Sequence, residues 1–540
     1  MFNSLYLDCL NSAEQNSIQE NVMKLFENST DSVKAEREMD EHINAIVKNF
    51  LRTINSSSDI EISELIENFT NSKFPSKTVN NKTYVNKLYE QVVTHSIHTS
   101  SPRFIGHMNA ALPYFVRPIA KLMTAMNQNL VKTETAKALT PYQRQVLAKI
   151  HRLIYDFPEE FYSQHIQNPQ STLGIIVSGG TIANITALWC ARNASLGPKD
   201  GFTGVTNEGL AAALNCYGYN GAVVIGSSLI HYSFEKAADL LGIGAHGLIK
   251  VPANHKNQID LQALRQTIRK CRAQNQHIIA IIGVAGTTDS GGVDSLSDIA
   301  HISQEANVHF HVDAAWGGPV IFSQKHRHKL AGLEKADSVT IDGHKQMYLP
   351  MGIGMLFLRD PKKAEVIEKQ APYAVRKKSV DLGKRALEGS CPSTVLLLDA
   401  GLNLIGVKGY EFLINEGIRK TQYLANCISA MPEFELLAEP DLNILIYRYI
   451  PDSLKENATK GKLTKIENEF LNRFNHQLQK DQRHAGRTFV SRTTTNTTRY
   501  GQDIPLVALR SVIANPLTTE DDIDAVLNDQ IKIATEIVIR

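Results

Sequence analysis

Between about residues 171 and 360 the chain alternates short apolar runs, rich in Val and Ile, with segments of helical length. Candidate strands fall at Gly174–Val177, 222–226, 247–251, 277–284, 309–312, 338–341 and Gly354–Leu358, and helix-length stretches at 181–193, 260–275 and 297–306 separate several of them. Unbroken apolar runs signify strands buried on both faces, and helices between them make crossover connections. The pattern predicts an α/β fold with a mostly parallel seven-stranded sheet. The first hundred residues are polar and helix-prone, with loop-like interruptions at 55–58 and 71–82. The stretch 36–51 reads either as an amphipathic helix that packs on a partner subunit or as a solvated one. Past about residue 402 helices mix with short alternating strands. The expected division is a helical N-terminal dimerisation segment (1–165), a large α/β domain (166–400) and a small C-terminal α+β domain (401–540).

Composition narrows the classes. A hydrophobic share of 43% and a charged share of 21% suit a globular enzyme. With 57 Lys+Arg against 55 Asp+Glu and no long basic run, nothing points to nucleic acid. Six scattered cysteines without C-x-x-C spacing suggest neither a disulfide framework nor a metal site, and fit a reducing cytosol. Asp8 and Asn11 interrupt the only apolar stretch near the N-terminus, which argues against a signal peptide, and no run reaches membrane-spanning length.

The chemistry concentrates in His311-Val312-Asp313-Ala314-Ala315-Trp316-Gly317-Gly318 and, 32 positions beyond Asp313, Lys345 in Asp342-Gly343-His344-Lys345. Both follow candidate strands, at the sheet edge where open α/β folds bind ligands. Alone, Asp313 reads equally as a cap and Lys345 as a surface lysine. Together they are what pyridoxal phosphate requires: a carboxylate that keeps the pyridine nitrogen protonated and a lysine that holds the aldehyde as a Schiff base.

Neighbouring motifs extend this reading. Ser178-Gly179-Gly180-Thr181, between a strand and a helix, offers backbone donors to a phosphate. His231 follows the strand 222–226 and is placed to stack on the pyridine ring. Gly286-Thr287-Thr288-Asp289 also ends a strand, with the Thr287 hydroxyl expected to face the cofactor. The run Gly242-Ile243-Gly244-Ala245-His246-Gly247 spells a dinucleotide fingerprint, but a helical segment precedes it and a strand follows, the reverse of the required context. Gly242 therefore reads as a helix stop.

As a set, these residues resemble the group II pyridoxal-dependent amino acid decarboxylases, the family of glutamate and aromatic amino acid decarboxylases. The resemblance runs from Ser101-Pro102-Arg103-Phe104 through Ala508-Leu509-Arg510-Ser511-Val512-Ile513-Ala514-Asn515-Pro516, about four fifths of the chain. Asp342-Gly343-His344-Lys345-Gln346, Tyr373-Ala374-Val375-Arg376-Lys377 and Leu387-Glu388-Gly389-Ser390 look most like the bacterial pyridoxal-dependent aspartate 1-decarboxylases, which make β-alanine for pantothenate. The resemblance implies a fold type I homodimer with active sites shared between subunits, pyridoxal 5'-phosphate bound through Lys345, and Asp313 on the ring nitrogen. It also implies His231 and Ala315 on the two ring faces, phosphate at Gly180, Thr181 and His344, and Tyr373 as the loop tyrosine that protonates the carbanion. Arg510 and His107 match positions that favour an acidic substrate side chain. An interdomain ion pair is the alternative role for Arg510. The chain departs from the pattern at Cys391, where many relatives carry arginine, and at Asp342, where animal glutamate decarboxylases carry asparagine. The resulting expectation is decarboxylation of L-aspartate, with L-glutamate and 2,4-diaminobutyrate as rivals. A cofactor-binding pseudoenzyme and a transaminase remain open.

Overall fold

Seven strands build the central sheet: β1 (Gly174–Val177), β2 (Gly221–Ser227), β3 (Leu248–Val251), β4 (Gln276–Val284), β5 (His309–Asp313), β6 (Ser338–Asp342) and β7 (Gly354–Leu358). The computed structural model describes residues 12–74, 78–370, 379–497 and 504–539. The spatial order is β1-β7-β6-β5-β4-β2-β3. Parallel pairing joins β3 to β2, β2 to β4, β4 to β5 and β5 to β6, whereas β7 is antiparallel to both β6 and β1. The link 343–353 holds no helix and is too short for a crossover, so β7 has to return antiparallel.

The predicted strands are all present, and β6 and β7 are buried along their whole length. Their apolar side chains serve two layers. Val223, Ile281, Phe310, Val312, Val339 and Phe357 join one core, while Val224, Ile279, Ile282 and Val284 pack with Leu188 and Phe234 in another. The helix Ser233–Leu240 ends ahead of Gly242, whose φ of +73° suits glycine, and β3 follows, so the fingerprint-like run lacks the strand-then-helix context of a Rossmann site.

A second, antiparallel sheet comprises β8 (Phe434–Leu436), β9 (Ile444–Tyr449), β10 (Ser491–Thr497) and β11 (Ile504–Val512), in the order β10-β11-β9-β8. Helices Gly406–Ala430, Lys465–Ala485 and Glu520–Ile539 accompany it. The N-terminal part is stitched into this unit. Phe489 N–H donates to Arg103 O, Ile105 N–H to Phe489 O, and Val512 N–H to Ile105 O, and Ile105 is fully buried in its core. That thread carries residues 107 and 108 toward Arg510.

The helix Thr30–Arg52, capped by Ser29, buries none of its residues, and Leu25, Phe26, Ile62, Ile66, Phe69 and Phe74 are all exposed. Among the described residues no helix is long and apolar enough to cross a membrane, no cluster of metal-ligating side chains occurs, and five cysteines are free.

Candidate active site

The carboxyl ends of β1, β2, β4, β5 and β6 converge on one cavity of about 330 Å³. Its wall includes Gly180, Thr181, His231, Asp313, Ala315, His344, Lys345 and Arg510. Eight of the eleven site residues expected from sequence thus meet on one surface.

Each is positioned by its element. Asp313 ends β5, where Asn184 Nδ2–H donates to its Oδ2 at 2.9 Å and Ala315 N–H to its Oδ1 at 3.1 Å. Lys345 follows β6 through a tight turn, and its Nζ lies 3.1 Å from Asp342 Oδ2. His344 donates Nδ1–H to Ile353 O at 3.0 Å, which turns its Nε2 to the cavity side, 3.7 Å from the same carboxylate oxygen. Gly180 and Thr181 open the helix Gly180–Ser195, where first-turn N–H groups lack intrahelical acceptors. Glycine is required nearby, since a Cβ on Gly354 would stand 2.4 Å from the Gly179 backbone.

His231 sits at the mouth beside exposed Tyr232, their ring centroids 4.2 Å apart. Ser233 N–H donates to its Nδ1 at 3.2 Å, placing the ring proton on Nε2. Burial pushes its pKa below 6.5, opposed by the Asp313 carboxylate, so the imidazole is neutral near pH 7. Arg510, on β11, is buried: Nε donates to Thr288 O at 2.7 Å, and Nη1 to Gly106 O at 3.3 Å and Ser491 Oγ at 3.2 Å. Its Nη2 has no partner among the described residues. Burial lowers the guanidinium to about 10, with Asp289 pulling the other way, and it stays charged.

Three expectations fare differently. Thr287 does not face the cavity: its hydroxyl meets Ser290 Oγ at 2.9 Å and accepts from Gly292 N–H at 3.0 Å, closing the turn after β4. Exposed Thr288 lines the wall instead. His107 is exposed and off the cavity wall, although burial of its ring and the charge of Arg510 lower its pKa. Tyr373 lies outside the described residues. Cys391 lines a separate small cavity with Arg144 and Arg385.

Asn184 and Asp342 are among the wall residues that the sequence reading did not count as site residues. Asp342 Oδ1 is buried without a hydrogen-bond partner, beside Gly180 and Lys345, an acceptor waiting for a donor. A buried carboxylate, a lysine amine, helix-start N–H groups and a neutral imidazole on one cavity wall fit the donor set that pyridoxal phosphate needs.

Comparison with known proteins agrees. Residues 65–450 match the family described as "Pyridoxal-dependent decarboxylase conserved domain". A protein of Aliivibrio fischeri named "Aspartate 1-decarboxylase" is 44% identical over 502 residues, 93% of this chain and 91% of the relative. An "L-2,4-diaminobutyrate decarboxylase" of Rhizobium meliloti is 28% identical over 361 residues, 66% of each chain. Among solved structures, mouse CSAD superposes with a TM-score of 0.80 at 22% identity, covering 93% of this chain and 98% of that one, a likeness of fold. The chain belongs to the pyridoxal-dependent decarboxylases, enzymes that use pyridoxal 5'-phosphate to decarboxylate amino acids.

Proposed function

We propose that this enzyme removes the α-carboxylate of L-aspartate, releasing carbon dioxide and β-alanine. The observation that carries an acidic substrate is the Arg510 guanidinium, buried on the cavity wall with Nη2 unpartnered among the described residues. A charged guanidinium held by its Nε and Nη1 with Nη2 left to donate, in a desolvated pocket, suits a carboxylate and penalises a neutral side chain. Preference for aspartate over glutamate is supported by the 44% identical relative, because one methylene is worth only about 1–3 kcal/mol in a pocket.

In this reading Lys345 holds the cofactor, Asp313 keeps its ring nitrogen protonated, and His231 and Ala315 flank the ring. The helix start at Gly180 and Thr181 takes the phosphate together with His344. Bound pyridoxal phosphate supplies an electron sink for the bond to the departing carboxylate. Arg510 orients the substrate side chain, and Tyr373 returns the proton to Cα.

The enzyme acts as a cytosolic homodimer with shared sites. Support comes from the exposed apolar residues of the N-terminal helices, from the free cysteines, and from Tyr232 and Met351, large apolar wall residues left more than half exposed at 56% and 62%. Holoenzyme incubated separately with L-aspartate, L-glutamate and L-2,4-diaminobutyrate, with gas and amine measured, tests the substrate. β-Alanine from aspartate at the highest kcat/KM is expected, and faster turnover of either rival overturns that choice. A keto acid without gas would indicate transamination, and no product despite cofactor uptake a pseudoenzyme.

A further inference from the structure

Behind Asp313 lies a file of buried polar side chains that a simple ligand pocket does not need. Asn184 Oδ1 meets His311 Nε2 at 3.0 Å, His311 Nδ1 meets Ser338 Oγ at 2.8 Å, and Ser338 Oγ meets His309 Nε2 at 2.8 Å. Asn184, His311 and Ser338 are each at most 1% exposed. The elements dictate this alignment. His309 and His311 are two apart on β5 and so share a face, Ser338 is the register partner of His311 on β6, and Asn184 reaches in from the helix Gly180–Ser195.

Donor directions follow from chemistry. The Asp313 carboxylate only accepts, so Asn184 must turn its NH₂ to Asp313 and its oxygen to His311. His311 therefore carries its proton on Nε2. Burial pushes both His309 and His311 down to about 3, so each is neutral and His311 Nδ1 is an acceptor. Ser338 then donates to His311, and His309 Nε2–H donates to Ser338. At the far end His309 Nδ1 is buried without a hydrogen bond, 3.7 Å from Asp337 Oδ2, as a bare lone pair should be. Phe234 closes the flank, edge-on to His311 with centroids 6.0 Å apart.

Every proton in the file points toward Asp313. Hydrogen bonds aligned head to tail polarise one another, and a carboxylate at the acceptor end gains from each. We propose that Asn184, His311 and Ser338 are positioning residues: a one-way hydrogen-bond relay that holds the Asp313 carboxylate in place, charged, for the cofactor ring nitrogen. This rests on the assignment of Asp313 to the ring.

The test compares His311→Leu, His311→Gln and Ser338→Ala with the wild type, reading the pyridoxal phosphate dissociation constant of the apoprotein, kcat and KM for the preferred amino acid, and thermal unfolding. His311→Leu should weaken the cofactor and lower kcat about tenfold each, with KM within about twofold, because one link to a charged acceptor is lost. His311→Gln, whose amide can still donate to Asn184, should recover to within about threefold of the wild type, and Ser338→Ala should fall about threefold. Equal losses in the Leu and Gln variants, or a Leu variant with wild-type cofactor affinity and kcat, overturn the relay. If His311→Leu does not fold, Ser338→Ala decides: unchanged affinity and kcat overturn the proposal. A wild type that takes up no cofactor would instead defeat the Asp313 assignment itself.

Discussion

Replacing Arg510 by leucine separates its two roles. The guanidinium spans the units, donating to Thr288 O beside β4 and to Gly106 O and Ser491 Oγ near β11, while Nη2 has no partner among the described residues. Leucine leaves Thr288 O and Gly106 O without these donors, at about 1–3 kcal/mol each if no water replaces them. It also removes the charge facing the substrate carboxylate, and loss of one member of a buried charge pair costs about 2–5 kcal/mol. At about 3 kcal/mol, kcat/KM for L-aspartate falls about 10²-fold. Arg510→Lys keeps the charge but loses the anchoring donors to Thr288 O and Gly106 O, and should lose about tenfold. Steady-state kinetics on aspartate, alongside urea unfolding and cofactor titration, read all three quantities. If kcat/KM stays within about threefold of wild type while stability drops, Arg510 is a strut between units and the substrate assignment fails.

Other expectations follow from the same geometry. Asp313→Asn should lower kcat by at least about 10²-fold and weaken the cofactor, measured by turnover and absorbance titration, because the ring nitrogen loses its anionic partner. Acid should unfold the protein steeply. Burial holds His151 at about 4 and His309 and His311 at about 3, against 6.5 for the unfolded chain, which therefore takes up more protons as pH falls below about 6.5. Each such histidine contributes stability that is complete above about pH 6.5 and is lost at about 1.4 kcal/mol per pH unit well below it. Urea midpoints from about pH 7 to pH 5 check the slope, which a His151→Asn variant should flatten. Arg448→Met should cost about 3–5 kcal/mol by urea titration, because it removes a fully buried guanidinium whose Nε–H donates to Glu435 Oε2 at 2.7 Å.

Much of the architecture was legible because the strands announce themselves. Runs such as 278–284 and Gly354–Leu358 are apolar at successive positions, the pattern of a strand covered on both faces. Asp313 and Lys345 were legible for a related reason, since they follow the short β-rich runs 309–312 and 338–341 that break into small residues. What escaped depends on side-chain direction and on distant pairing. Thr287 and Thr288 are adjacent, and the sharp turn at Gly286, φ +94°, sends the first inward to its own loop and leaves the second on the cavity wall. Asn184 lies in a helix of mostly apolar residues, and its role appears only when β5 is laid against it. Its one signal was an amide at a buried helical position. The pairing of 103–106 with 489–491 spans most of the chain, and no local pattern encodes it.

The central claim is a covalent link between the cofactor and Lys345, in the cavity that Asp313 also lines. Reduction of the purified holoenzyme with borohydride, followed by peptide mass spectrometry, tests it most directly. The pyridoxyl group is predicted on the peptide containing Lys345, with none after Lys345→Ala; labelling at another lysine, or equal labelling of that variant, would contradict it.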